Sequence, residues 1–352
     1  MTTGENHALA SELLAALAYF DVFDYPLTLA ELRRYRWSTS RKDYPVSGTS
    51  QVPNTGRSSC AETAGSVVAV SDTGSRGITE ARTSLSEPSL TAVGEALRTL
   101  PVGVKDGFYF LAGREAVVAR RLEGYRVAEG KYRLARRFAS WLRWLPSVRL
   151  VAVCNSLALS HAAADSDIDL LLVVRPRTVW VTRLLVVGVL AALGLRPDAR
   201  TQRDRFCLSF MASESALDFS GLLLADSDPH FHYWLLSMMP LYDAGGVMTK
   251  ILHENRWTRN RLPGVTAPRA GARRLKMPRG TAWLLPLLRR WDAAAGRLQL
   301  RLFPPAIRRL MNHDTRVVVS DDLLKLHVND RREHYNRLFA ARLAAQPIPV
   351  NA

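Results

Sequence analysis

The chain has 352 residues, 47% hydrophobic and 23% charged, enough for two or three globular domains each with its own core. Its formal charge is +16, and residues 255–352 alone hold 20 Lys/Arg against 6 Asp/Glu. Such a surface suits nucleic acid or nucleotide phosphates, and is equally what a solvated arginine-rich face looks like. Cys60, Cys154 and Cys207 stand far apart with no C-x-x-C spacing, which argues against a disulfide framework or a structural zinc. No basic stretch followed by an apolar one opens the chain, so a cytoplasmic protein is expected.

Residues 9–36 predict an apolar helix followed by a second one that begins at Thr28 and Glu31, a capping box. From Ser38 to Ser86 the composition turns to Ser, Thr, Gly and Pro, which predicts a disordered insertion over about 38–86. A short amphipathic helix over Leu90–Leu100 comes next, then two apolar strands joined by Asp106-Gly107, a hairpin signal. Helix, helix, insertion, helix and hairpin read as a winged-helix-like module over 1–113. Its third helix, SLTAVGEALRTL, offers one Arg and one Glu, little for phosphates or base edges, so a structural or partner-docking role is favoured over DNA reading.

Glu115–Leu145 reads as an Arg- and Lys-rich helix stopped by Pro146, and Val148–Val153 as an apolar β-branched strand. The next stretch, to Val174, has the order turn, short helix, turn, strand. Asn155-Ser156 opens the short helix, where backbone amides and the Ser156 hydroxyl can grip phosphate oxygens. A second strand is expected from Asp167, and alternation then puts Asp167 and Asp169 on one face. Two carboxylates so spaced are hard ligands for Mg²⁺ or Mn²⁺, as two-metal phosphoryl chemistry requires. D-x-D alone is a weak signal; the turn one short helix upstream adds specificity.

These residues resemble the nucleotidyltransferase domain of the DNA polymerase beta superfamily, whose signature is G-S, a short helix, then S-D-I-D-L. Asn155-Ser156 and Ser166-Asp167-Ile168-Asp169-Leu170 are the matching residues. The likeness extends to a bacterial group of undefined substrate, through YFDVFDYPLT (Tyr19–Thr28), DGFYFLAG (Asp106–Gly113), RFCLSF (Arg205–Phe210) and NRWTRNRLP (Asn255–Pro263). It covers roughly 9–36 and 88–263. The resemblance implies an α+β fold, a nucleotidyltransferase-like mixed sheet flanked by helices over 114–263. It implies Asp167 and Asp169 as catalytic metal ligands, and Asn155, Ser156 and Ser166 as binding residues for a nucleoside triphosphate, whose monophosphate passes to an acceptor.

Two departures stand out. Asn155 replaces the family's glycine, a residue that visits positive φ more readily than other non-glycines. A third carboxylate usual on a later strand is missing from Phe206–Met211, with Asp204, Glu214 and Asp218 only flanking it. A nucleotide-binding or regulatory protein without turnover, with nucleic acid as an open partner, is therefore the alternative reading.

Leu184–Leu195 is wholly apolar, but twelve residues are too few for a span of about 20, so no membrane partner is expected and the segment reads as a helix against a sheet. Asp226–Tyr242 reads as a packed aromatic element, with His230 and His232 a weaker metal candidate and Asp226 and Asp228 a second D-x-D. The last region, 264–352, reads as basic amphipathic helices with Trp283, Trp291 and Phe303 in the core, and His327 and His334 as ordinary surface or half-buried residues.

Overall fold

The computed structural model describes residues 2–39, 87–197, 201–224, 228–266, 274–276 and 282–346. The expected insertion therefore lies outside the described residues from Ser40 to Ser86. Ser38, at its predicted start, is buried, and its amide donates to the Arg261 carbonyl at 2.8 Å.

The N-terminal part runs α1 (Thr3–Asp21), β1 (Leu27–Thr28), α2 (Leu29–Tyr35), α3 (Leu90–Leu97), β2 (Val102–Lys105) and β3 (Phe108–Leu111). Thr28 and Glu31 form the expected capping box at the start of α2. Asp106 and Gly107 both take positive φ (52° and 77°), the conformation a two-residue hairpin turn needs. The strands form an antiparallel sheet in the order β1-β3-β2. Helix α1 is buried along most of its length and is the hub of one core cluster.

A mixed six-stranded sheet follows. Helix α4 (Ala116–Leu142) leads to β4 (Val148–Val153), α5 (Asn155–Ala158), β5 (Ile168–Val174), α6 (Val179–Ala192) and β6 (Phe206–Ser213). Then come α7 (Pro229–Ser237), β7 (Met239–Asp243), α8 (Val247–Glu254), α9 (Leu285–Leu302), α10 (Pro305–Leu310), β8 (Val317–Val319), β9 (Leu323–Leu326) and α11 (Arg332–Ala344). The strand order is β7-β4-β5-β6-β9-β8, with β5 and β6 parallel across α6 and the other pairs antiparallel. The chain is thus mixed α+β.

Alternation sorts the strand residues onto two faces. Leu150, Ala152, Cys154, Leu171, Val173 and Phe210 join the cluster with α1, α7 and α8; Val151, Val153, Ile168, Leu170 and Leu172 join the one with α4 and α6. Asp169 lies on the α1 side, because it is two residues from Leu171.

Three expectations need adjusting. The second strand begins at Ile168, so Asp167 is the last residue before it. The C-terminal region is not purely helical, since β9 pairs with β6 and extends the sheet. Phe303 is buried, but Trp283 and Trp291 are 75% and 57% exposed, because α9 turns its small residues, Ala295 and Gly296, inward against α6. Among the described residues no helix is long and apolar enough to cross a membrane. Helix α6 buries Val186 and Leu190 while Leu185 and Val189, and Leu193 just past its end, remain exposed.

One close approach is glycine-dependent. A Cβ on Gly124 of α4 would lie 2.7 Å from His161 Nδ1 and 3.3 Å from His161 Cα, in the loop after α5. Gly124→Ala gains about 1 kcal/mol of helix propensity but loses about 1–3 kcal/mol to overpacking, so a net loss is expected. Gly130→Ala, in the same helix with open space around it, should instead stabilise by about 0.5–1 kcal/mol. Urea unfolding midpoints of the two variants, moving in opposite directions, check this.

Candidate functional site

Strand β4 ends at Val153, and the chain turns sharply through Asn155, whose φ of +54° is the left-handed conformation expected at this position. Asn155 donates from Nδ2 to Asp169 Oδ2 at 2.6 Å. Asp167, Asp169 and Cys207 offer ligand atoms all within 4.8 Å of one another. Asp169 and Cys207 are direct cross-strand partners in the parallel β5–β6 pair.

Immediately beyond that pair the register slips, so that three residues of β6 match two of β5. This is a β-bulge, which re-aims side chains. Ser209 reaches the His327 ring at 2.9 Å, and Phe210 joins the α1-side cluster rather than that of Leu208.

Electrostatics follow from crowding and burial. Partial burial, then the charge of Asp169, pushes Asp167 up to about 6, against smaller lowering effects of its own backbone amide and Lys131. Burial also raises Asp169, offset by the hydrogen bonds from Asn155 and Cys207. Burial and the Asp169 charge drive the Cys207 thiol up to about 12, so it remains protonated and donates to Asp169. Two adjacent carboxylates at raised pKa, one with no side-chain hydrogen-bond partner among the described residues, form a set that a divalent cation would relieve. The donor set fits Mg²⁺ or Mn²⁺ through its two carboxylates, while a protonated thiol is a poor third ligand for either.

The flanking carboxylates do not join this cluster. Asp204 Oδ1 accepts from Lys131 Nζ at 2.9 Å, Glu214 from Arg149 Nε at 3.0 Å, and Asp218 from the Ser220 amide at 2.9 Å. The third member of the cluster is Cys207. Ser156 is exposed beside Asn155, and Ser166 donates its hydroxyl to the Ala163 carbonyl at 3.0 Å.

Two buried cations of α4 hold the two turns in place. The buried Lys131 donates to the Ser166 carbonyl at 2.6 Å, fixing the backbone just before Asp167. The buried Arg121 reaches Glu31 (2.7 Å) and the Leu159 carbonyl (3.1 Å), with its guanidinium 3.5 Å over the Tyr25 ring. Tyr25 Oη lies 2.9 Å from Glu31 Oε1 and 3.1 Å from the same Leu159 carbonyl, so its single proton is shared between the two acceptors. The YFDVFDY phrase thereby fastens the N-terminal part to the loop after α5. Asn255, of the NRW phrase, is fully buried and ties Leu217, Phe219 and Ile251 together, away from the acidic cluster.

Next to Asn155 and Ser156 opens a cavity of about 360 Å³, walled by α1, α7, β6 and the β9–α11 connection. His230 belongs to its wall, bonded through Nδ1 to Tyr19 Oη at 3.0 Å, and burial holds its pKa down near 4. His232 is buried with Nδ1 on the Asp228 carbonyl, so the two histidines form no metal pair. Asp226 lies outside the described residues, and Asp228 caps α7 and pairs with Arg332 at 2.7 Å. Sequence reasoning treated this stretch as packing and missed the cavity, along with Lys131, Arg121, Cys207 and His327. The available signal was Arg121 and Lys131 falling on the apolar stripe of α4.

Asp330, in the cavity wall, draws in two cations. Burial alone would raise its carboxyl, but Lys325 and Arg332 outweigh that and hold it at about 2. A depressed carboxyl stabilises the fold above its unfolded value near 4, and that contribution of about 2 kcal/mol disappears as pH falls from 4 towards 2. Wild type should lose stability steeply in that window, and Asp330→Asn should be weaker at neutral pH with a flatter acid limb, as urea midpoints between pH 5 and 2.5 would record.

Comparison with protein families, characterised proteins and solved structures finds no match to this chain.

Proposed function

We propose that the chain is a nucleotidyltransferase that moves a nucleoside monophosphate from a triphosphate to an acceptor hydroxyl or phosphate, with a fold of the DNA polymerase beta type. The observation that carries this is the Asp167/Asp169 pair at the head of β5, with Asp169 bonded to the Asn155 turn. Strand, left-handed turn, short helix, turn and acidic strand follow one another in the order that the S-D-I-D-L signature requires.

In this reading Asp167 and Asp169 hold Mg²⁺ or Mn²⁺, and Ser156 with neighbouring amides holds phosphate oxygens. The bound ion supplies charge neutralisation for the triphosphate and the departing pyrophosphate. Lys131 and Arg121 are positioning residues, acting through the Ser166 and Leu159 carbonyls. The order helix, strand, helix, helix, strand, strand with sheet order β1-β3-β2 supports a winged-helix-like module. Its burial of α1 against the sheet favours a docking role over DNA reading.

A third cluster member that is Cys207, not a carboxylate, favours one alternative, a protein that binds nucleotide without turning it over. Calorimetric titration of each nucleoside triphosphate with Mg²⁺ or Mn²⁺, paired with a pyrophosphate-release assay over an acceptor panel, separates the two. Transferase function predicts binding that is lost in Asp167→Ala and Asp169→Ala, with release in wild type. Binding with no release across the panel supports the alternative, and no binding refutes both.

A further inference from the structure

Helices α4, α6 and α9 share the face of the sheet that carries Val151, Ile168 and Leu172, opposite α1. Helix α4 lies over β7 and β4, α6 over β6, and α9 packs against α6. The α6–α9 seam is polar and close. Asp292 accepts from the Val181 amide at 2.8 Å, Gln299 donates to the Trp180 carbonyl at 2.7 Å, and a Cβ on Gly296 would lie 3.1 Å from the Trp180 ring. The outer sides of the three helices therefore form one layer, turned away from the α1 side of the sheet.

The solvated side of a surface helix is ordinarily polar, and α6 breaks that rule. Its exposed residues are Leu185, Gly188, Val189, Ala191 and Ala192, with no polar side chain among them, and Leu193 extends the run. Basic crests flank this apolar strip. On α9 the exposed Arg290, Arg297 and Arg301 fall within about 40° of one another, opposite the buried Ala295, Gly296 and Gln299. Helix α9 holds a single carboxylate, the buried Asp292, and the three arginines have no carboxylate partner among the described residues. On the other side of α6, Arg137 and Trp141 are exposed on α4. Leu287, Trp291, Leu298 and Leu302 add an exposed apolar stripe to one flank of α9.

Apolar patches rimmed by polar residues mark interaction surfaces, and here the rim decides the partner. A second copy would bring one arginine crest against another. Nucleic acid would meet the arginines and leave the apolar strip in water. An anionic bilayer surface satisfies both, with headgroups on the arginines, the acyl boundary under α6, and tryptophan at the depth it prefers. We propose that the outer face of α4, α6 and α9 docks flat on an anionic lipid surface, lying in the interface and spanning nothing. Asp169 lies on the α1 side of the sheet, so docking leaves the acidic site uncovered, and the proposal holds whatever chemistry that site performs.

The test is co-sedimentation of the full chain with vesicles of phosphatidylcholine alone or mixed equally with phosphatidylserine. The mixed vesicles should bind about tenfold or more tightly. Arg297→Gln/Arg301→Gln should weaken that binding by about tenfold. Arg98→Gln/Arg337→Gln makes the same change in net charge at exposed positions of α3's end and α11, and should leave binding within about twofold. Leu185→Gln/Val189→Gln should also weaken it by about tenfold. All these side chains are exposed, so the variants should melt with wild type. Asp167→Asn should bind vesicles as wild type does, whether or not pyrophosphate is ever released. Equal binding to both vesicle types, losses that follow net charge alone, or an unaffected Leu185→Gln/Val189→Gln variant would overturn the proposal. So would a dimer that this last change dissociates, or capture by duplex DNA or polyglutamate with no binding to vesicles.

Discussion

Asp167→Asn is expected to abolish pyrophosphate release, by about 10³-fold or more, roughly 4 kcal/mol of transition-state stabilisation, while raising the melting temperature of the metal-free protein at neutral pH. Both effects have one cause. The site holds Asp167 beside Asp169 with partial burial, which pushes Asp167 up to about 6. A carboxyl whose folded-state pKa is raised stabilises the fold while protonated; that benefit is complete below the unfolded value near 4 and is lost as pH rises through 6. At pH 7 the ionised pair therefore opposes folding, by roughly 1–2 kcal/mol after allowance for solvent at the half-exposed mouth. Asparagine keeps the shape and removes the repulsion. The stabilisation should vanish below pH 4, and also at saturating Mn²⁺, where the cation relieves the same repulsion. Melting curves between pH 4 and 8, with and without Mn²⁺, beside pyrophosphate release, record all of this. A variant no more stable than wild type at pH 7 would contradict the electrostatic picture.

Arg332→Met is expected to cost about 3–5 kcal/mol, enough to leave a domain of ordinary stability partly unfolded. Arg332 is 6% exposed and serves four acceptors: Asp330, Asp228, the Leu222 carbonyl and the Thr315 hydroxyl. Asp228 is itself 1% exposed and caps α7. Methionine matches the stem of arginine but strands the Asp228 charge in the interior. Arg332→Lys should fall between, because one ammonium cannot reproduce a planar fork. Chemical denaturation of the three proteins gives the ranking; a lysine variant as stable as wild type would show that charge alone suffices.

Local signals proved the readable part of the sequence. The Thr28/Glu31 box, the Asp106-Gly107 turn and the Val148–Val153 strand each depend on residues within a few positions, and the structure reproduces them. The acidic pair was legible for the same reason, since Asp167 and Asp169 are two residues apart in extended chain at the head of β5, although Asp167 itself precedes the strand. What was not legible depends on partners distant in the chain. Cys207 acquires its place from the parallel register with β5, and His327 from a bulge that brings Ser209 to it. The cavity needs α1, α7 and α11 together, more than 200 residues apart in sequence between first and last. Trp283 and Trp291 misled because indole rings at helical spacing look like core, whereas α9 meets α6 through alanine and glycine.

Electron paramagnetic resonance of Mn²⁺ titrated into the protein with a non-hydrolysable triphosphate tests the central claim most directly. Mn²⁺ should be taken up together with the triphosphate, and that uptake should be lost in both Asp167→Asn and Asp169→Asn. Uptake that persists in both variants, or none with wild type, would contradict a metal-assisted nucleotidyl transfer site at Asp167 and Asp169.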